Sequence, residues 1–219
     1  MFLKISMFKR LIKKAWKGMG LTVGNDGEGI YLVGNHWSIW MARIEMTNKA
    51  KAAIIELTGG LPSEGTAYRA WEGEGVQFEM TELYDPEIYR PEIRNFKIEY
   101  QKTGVILTDM KKDYMIMQDK NNYECIMIDR NISDMIDYGS REKGEGVPVG
   151  PLGRYGSIYR RPEVFWQNEV CTLRVVATDT EEGGRENFVL DKMEMWNFAG
   201  GIKRNEINGR ADESGGMEQ

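Results

Sequence analysis

Short apolar stretches recur along this chain of 219 residues and are separated by turns rich in Gly, Asn and Asp. Such stretches, roughly four to eight residues long, are typical of antiparallel strands joined by hairpins. The clearest pair is 30–33 and 37–46, which flank the tight-turn dipeptide Gly34-Asn35. Both faces of segment 37–46 are apolar, so we predict a strand that lies centrally in a sheet or is covered on both sides.

Further strand pairs are predicted around other polar turns. They are 66–71 with 76–84, 96–100 with 105–108, 114–118 with 123–129, and 170–178 with 187–197. The four strands between residues 96 and 129 follow one another closely, which predicts a meander. Segment 139–157 is rich in glycine and too irregular for a simple turn, so we expect a functional or mobile loop there.

Helices are predicted in three places. Between residues 4 and 19 the apolar side chains recur every three or four positions and the basic ones occupy the opposite arc, which indicates an amphipathic helix. A second helix over 48–57 has Asn48 as its cap and Gly59-Gly60 as its stop. A short third helix is expected near 131–138.

These elements predict an α+β protein. Its fold is expected to be a predominantly antiparallel β-sheet, a meander of hairpins, with an N-terminal amphipathic helix and one or two short helices. We expect residues 1–198 to form a single domain and the polar residues 199–219 to form a flexible C-terminal tail.

The net charge of −5 is unevenly distributed. Residues 1–20 carry six basic residues and no acid, so the rest of the chain carries the balance of −11 (−5 less 6). An acidic body of this kind argues against a general nucleic-acid binder.

The chain is expected to be cytoplasmic. No run approaches the roughly eighteen apolar residues that a membrane helix needs, and the lysine-bearing N-terminal segment lacks the pattern of a secretory signal. Met7 is a second possible start, which leaves the presence of residues 1–6 open. Cys125 and Cys171 lie far apart in the sequence and are interpreted as small buried residues rather than functional thiols.

No catalytic or metal-binding motif is recognisable. His36 is the single histidine, and its place beside a tight turn favours a solvated or hydrogen-bonded residue over a general base. One histidine and two distant cysteines cannot form a tetrahedral zinc site without carboxylates. Segment 119–130 begins like a calcium loop but has Glu124 at the glycine position and Arg130 at the position of the bidentate glutamate. We therefore expect no metal and no cofactor.

Three features remain as candidates for binding a partner. The first is the set of cations on the N-terminal helix, and the second is a pair of tryptophans in the apolar strand, interpreted as an exposed aromatic patch. The third is a cluster of arginine and tyrosine after the glycine-rich loop, because these residues contact phosphates, bases and protein surfaces. The residues are Lys9, Arg10, Lys13, Lys14, Lys17; Trp37, Trp40; and Arg154, Tyr155, Tyr159, Arg160, Arg161.

The leading hypothesis is a non-enzymatic binding protein that docks on another macromolecule, and the favoured partner is a protein. By analogy with small acidic proteins that lack a catalytic set, it is an accessory or inhibitory factor of a phage or mobile element. Two alternatives stay open: a nucleic-acid-binding module that uses the basic helix and the Arg/Tyr cluster, and a hydrolase that uses a pair of carboxylates.

Overall fold

The computed structural model describes residues 1–73, 78–80, 82–109, 112–139, 146–156, 160–178 and 184–198. Within these residues eleven strands form one sheet, and every neighbouring pair is antiparallel. The strands are β1 (Leu21–Asn25), β2 (Gly29–Val33), β3 (Trp37–Ala42), β4 (Thr66–Ala70), β5 (Phe78–Met80), β6 (Ile98–Asp109), β7 (Lys112–Asp119), β8 (Cys125–Asp129), β9 (Val149–Tyr155), β10 (Pro162–Asn168) and β11 (Cys171–Val176).

The order across the sheet is β5-β4-β1-β2-β3-β11-β10-β9-β6-β7-β8. It consists of three meanders, β1-β2-β3, β9-β10-β11 and β6-β7-β8, with the β4–β5 hairpin added beside β1. The expectation of an antiparallel, hairpin-rich α+β fold is confirmed.

Five helices accompany the sheet within the described residues: α1 (Ile5–Lys17), α2 (Asn48–Thr58), α3 (Pro86–Tyr89), α4 (Arg130–Ser133) and α5 (Arg185–Met193), with a 3₁₀ turn at Ile93–Asn95. The cap of α2 is Thr47 rather than Asn48, because the Thr47 side chain accepts a hydrogen bond from the Ala50 backbone N. Gly59 ends the helix at φ 80°, in the left-handed region that favours glycine. Among the described residues, no helix combines the length and apolar character needed to cross a membrane.

Helix α1 packs on the sheet through its predicted apolar face. Phe8 and Ile12 are fully buried and share one core with residues of both halves of the sheet, such as Val23 on β1 and Met117 on β7. Burying side chains of this size stabilises the fold by about 1.5–3 kcal/mol each. Met19, predicted to continue this apolar face, instead follows the end of the helix and is exposed.

The sheet curls so that its β8 edge returns toward its centre. The backbone N of Thr178, just after the central strand β11, donates to the Met127 carbonyl on β8 at 2.8 Å. Nearby, the backbone N of Val176 donates to the His36 carbonyl at 2.8 Å. Helix α1 is therefore enclosed by strands from both ends of the sheet order.

Residues 1–3 are part of this core. Met1, Phe2 and Leu3 are all buried. Their backbone pairs with the segment after α4, since Leu3 bridges Ile136 and the Asp137 backbone N donates to the Phe2 carbonyl at 2.8 Å. A chain that starts at Met7 would lack these contacts.

The hairpin predicted at residues 102–104 is wrong, because β6 is one continuous strand. Its pairing with β7 shifts register between Lys102 and Ile106, and Gly104 has φ 79°. The Thr103 hydroxyl, which donates to the Ile116 carbonyl at 3.0 Å, satisfies a backbone group that the irregularity leaves unpaired. Gly104 therefore marks a bulge rather than a turn.

Two other predictions in the C-terminal half are corrected. Segment 187–197 is not a strand: α5 occupies most of it, with Leu190 and Met193 packed against the sheet at helical spacing. Part of the glycine-rich segment forms β9, which lies inside the sheet between β10 and β6, although 140–145 and 157 lie outside the described residues. Strands β1 and β10 were not predicted. The predicted tail, 199–219, also lies outside the described residues.

Replacing Phe2 by Ala should lower the free energy of unfolding by about 3–5 kcal/mol, because it removes a ring that is only 2% exposed from a packed core. Urea unfolding followed by tryptophan fluorescence measures this change. Ile44→Ala is the matched control: Ile44 is 91% exposed, so its loss should cost under about 0.5 kcal/mol. Equal effects of the two substitutions would contradict the buried position of residues 1–3.

Candidate binding site

The basic side chains of α1 divide into two groups. Lys9, Arg10 and Lys13 are exposed, and within the part of the chain that the structure describes they form no ion pair and no side-chain hydrogen bond. Lys14 lies 3.7 Å from Asp129 Oδ2, and Lys17 lies 3.1 Å from Glu72 Oε1. We call Lys9, Arg10 and Lys13 the α1 basic face.

The position of this face follows from the helix register. Phe8 and Ile12 point into the core. Lys9 and Lys13 each directly follow one of these two residues in the sequence, so they project from the outer side of the helix. The carbonyl of Trp16, near the end of the helix, accepts a hydrogen bond from the Glu72 backbone N at 2.9 Å. The helix is therefore held at both its apolar face and its C-terminal end.

The exposed aromatic patch expected at Trp37 and Trp40 does not agree with the structure. The two side chains are 5% and 3% exposed. Trp37 belongs to the core beneath α1, and Trp40 to a smaller core on the opposite face of the sheet. Trp40 Nε1 donates to Asp26 Oδ2 at 3.0 Å, and the guanidinium of Arg90 lies 4.1 Å from the centre of the Trp40 ring. Both tryptophans therefore stabilise β3 by packing in the cores on its two faces.

Arg154 is also engaged inside the fold. Its Nε lies 3.1 Å from Glu163 Oε2, and its Nη1 lies 2.7 Å from Glu87 Oε2. Its guanidinium carbon lies 5.2 Å from the centre of the Phe96 ring. Glu163 is buried and also pairs with Arg174, so Arg154 belongs to an internal ion-pair network.

The rest of the Arg/Tyr cluster does not form one continuous surface. Tyr155 is 50% exposed, but its hydroxyl donates to Glu124 Oε2 at 2.6 Å. Burial, followed by the nearby Glu124 carboxylate, raises the pKa of Tyr155 to about 12. Arg160 is exposed at φ 52°, Arg161 is half-buried, and Tyr159 lies outside the described residues.

A cavity of about 260 Å³ lies between the C-terminal end of α1 and the sheet. Apolar side chains from several elements form most of its wall: Leu11, Ala15, Met19, Trp37, Ile132 and Val175. Polar and charged side chains at the wall are Lys14, Asn35, His36, Lys112, Tyr114, Asp129 and Thr178. We call it the α1 cavity.

The pKa of His36 depends on the charges around the α1 cavity. Burial lowers the pKa of its imidazole, and the positive charges of Arg161 and Lys112 lower it further. Lys14 and Trp37, which come from two of the three predicted features, are therefore brought together around one cavity. The second lysine of the lining, Lys112, was not predictable from the sequence, because only the fold places the start of β7 near the end of α1.

A second cavity, of about 410 Å³, lies on the other face of the sheet. Its carboxylates, Glu92 and Glu169, share the lining with Arg90 and Arg94. In the α1 cavity the acid is Asp129, which lies near Lys14. Across the described ranges, no group of three or more His, Cys, Asp or Glu side chains is placed to hold a metal ion.

Exposed apolar side chains lie on α5 and just after it. Phe188, Met195 and Trp196 each have more than half of their surface exposed. The Trp196 carbonyl accepts a hydrogen bond from Gln118 Nε2 at 2.7 Å, which holds this end of the chain against β7. The helical spacing of apolar residues in 185–193 indicates α5, but segment 187–197 was predicted to be a strand.

Replacing Glu163 by Gln should lower the free energy of unfolding by on the order of 3 kcal/mol, because two buried or half-buried guanidinium groups lose their shared carboxylate. Urea unfolding of the purified variant measures the loss. Glu99→Gln removes an exposed carboxylate that pairs with Lys120, and should cost less than about 1 kcal/mol. A Glu163→Gln variant as stable as Glu99→Gln would show that the network is not a stabilising one.

Neither cysteine should react with Ellman's reagent in the native protein at pH 8. Burial raises the pKa of Cys125 and of Cys171 to about 12, so at pH 8 both remain in the unreactive thiol form. In urea both thiols should react, because their pKa values return to about 8.5. Rapid modification of the folded protein would contradict their structural role.

No family model matches the chain, and no curated protein matches it. Among solved structures, the chain is similar to the beta subunit from DNA polymerase of Streptococcus pyogenes, at 10% sequence identity and a TM-score of 0.31. The match covers 84% of this chain and 66% of that chain, so this chain spans just under two thirds of that subunit's length. A TM-score this low carries no argument about function.

Proposed function

We propose that the chain is a non-enzymatic binding protein that docks on another macromolecule through the α1 basic face. The observation that carries this proposal is the exposure of Lys9, Arg10 and Lys13 without an ion pair among the described residues. An acidic chain has many carboxylates available, yet these three cations remain directed to solvent. They form a surface of fixed positive charge.

The rigidity of α1 supports a recognition role. Lys9 and Lys13 are four residues apart, where like charges repel each other by about 0.2–0.5 kcal/mol. An anionic partner would relieve this repulsion, and the buried face of the helix keeps the three cations in place before binding. Binding therefore costs less conformational entropy than it would for a helix that must first fold.

An acidic protein surface is the partner class that the observations favour. The nucleic-acid alternative uses the basic helix together with the Arg/Tyr cluster, and two members of that cluster, Arg154 and Tyr155, are bonded to carboxylates of the chain itself. Beyond residue 20 the formal charge sums to −11, which repels a long polyanion more strongly than a single acidic patch that faces only α1. Three cations on one helix are enough to pair with an acidic patch on a protein.

The role that we propose is that of an accessory or inhibitory factor, as phages and mobile elements encode. The proposal includes no catalytic step and no cofactor. The hydrolase alternative requires two facing carboxylates without basic neighbours. In the two cavities described here, the acids lie beside Lys14 or share a lining with Arg90 and Arg94.

Charge reversal tests the proposal. In affinity capture from the native host, Lys9→Glu with Lys13→Glu should reduce recovery of a specific protein partner at least tenfold, because opposed charges become like charges. The matched control is Lys49→Glu with Lys51→Glu on α2, which changes the net charge equally and should leave recovery unchanged. Quantitative mass spectrometry of the captured proteins gives the ratio.

Equal recovery with both double variants would remove the α1 basic face from the proposal. A parallel gel-shift series with RNA and DNA at rising salt tests the nucleic-acid alternative. A complex that the α1 variant abolishes and that weakens steeply with salt would favour that alternative instead.

A further inference from the structure

The wall of the α1 cavity suits an aliphatic group. Trp37, Ile132 and Val175 are buried, and Leu11 and Ala15 cover them from α1. The volume of the cavity, about 260 Å³, is slightly smaller than that of cavities that hold drug-sized ligands. A ligand with about ten non-hydrogen atoms therefore suits it.

The polar side of the cavity is positively charged. Lys14 on α1 and Lys112 on β7 line it. The carboxylate that lines it is Asp129, at the end of β8. Asp129 is already engaged, because its Oδ2 lies 3.7 Å from Lys14 Nζ and its Oδ1 accepts hydrogen bonds from the Asn131 backbone N at 2.9 Å and from Asn131 Nδ2 at 3.1 Å. Asp129 and Lys14 offset each other, so the excess positive charge of the lining comes from Lys112.

We propose that the α1 cavity binds a small amphipathic anion, an aliphatic carboxylate whose chain lies on the apolar wall and whose carboxylate meets Lys112 and His36. A carboxylate in this position balances the excess of positive charge, and its chain excludes water from Trp37 and Val175. This site uses none of the α1 basic face, so each proposal can fail without the other.

The NMR signals of His36 can show whether a ligand occupies the α1 cavity, because His36 is the single histidine of the chain and its signals are unambiguous. Lys112, Lys14, Asp129 and Tyr114 line the same cavity as His36, and the charges of Arg161 and Lys112 both act to lower the pKa of its imidazole. Without ligand the pKa of His36 lies below its ordinary value. A bound carboxylate favours the imidazolium and must raise that pKa.

The experiment titrates the full chain with sodium octanoate and follows the His36 ring signals by NMR across pH 5–8. We expect a saturable shift and a rise in the pKa of His36 of about half a pH unit or more. Octanamide, a neutral molecule with the same chain, should leave the pKa unchanged and bind at least fivefold more weakly. By linkage, octanoate should bind more tightly as pH falls through the pKa of His36.

Two variants locate the site. Lys112→Gln should weaken octanoate binding about fivefold or more, whereas Lys49→Gln on α2 should leave it unchanged. Ala15→Leu fills the cavity from α1 with a good helix former and should abolish binding while circular dichroism stays that of the native fold. The proposal is overturned if octanoate leaves the pKa of His36 unchanged, if octanamide binds equally tightly, or if Lys112→Gln and Ala15→Leu bind octanoate like the parent.

Discussion

The buried contact of Phe8 and Ile12 with the curled sheet holds α1 in place, and much of the described structure depends on it. This contact joins strands that are distant in the sheet order, such as β1 and β7, through one helix. It also directs the opposite arc of α1 to solvent, and it sets the end of the helix over Trp37 and Val175. The α1 basic face and the α1 cavity are thus two results of one packing interaction.

Strands β3 and β7 are each covered by a core on both faces. β3 has one core on each face, and each core contains one of its two tryptophans. β7 also lies between two cores, with Met117 on one side and Ile116 on the other. Surfaces available to a partner are therefore found on the helices and at the ends of the sheet.

The sequence was sufficient to predict the α+β class, the amphipathic α1 and the β2–β3 and β7–β8 hairpins, because these depend on residues close together in the chain. Segment 37–46 was even predicted to be covered on both sides, which is inconsistent with an exposed patch at Trp37 and Trp40. The neutralisation of Arg154 was not predictable in this way, since Glu87 is 67 residues away. Gly104 was predicted to lie in a turn, but a glycine also permits a bulge within a strand. Segment 187–197 was predicted to be a strand because a short apolar run fits the periodicity of a helix as well as that of a strand.

The hydrogen bonds along the outer side of β8 limit how this protein can associate. The Cys125 backbone N donates to Glu194 Oε1 at 3.0 Å, and the Met127 carbonyl accepts from Thr178. Two of the groups through which a foreign strand would extend the sheet are already bonded. Strand addition at this edge would first require α5 and the segment after β11 to detach, so a partner at this edge must bind through side chains, and edge-to-edge aggregation is resisted here.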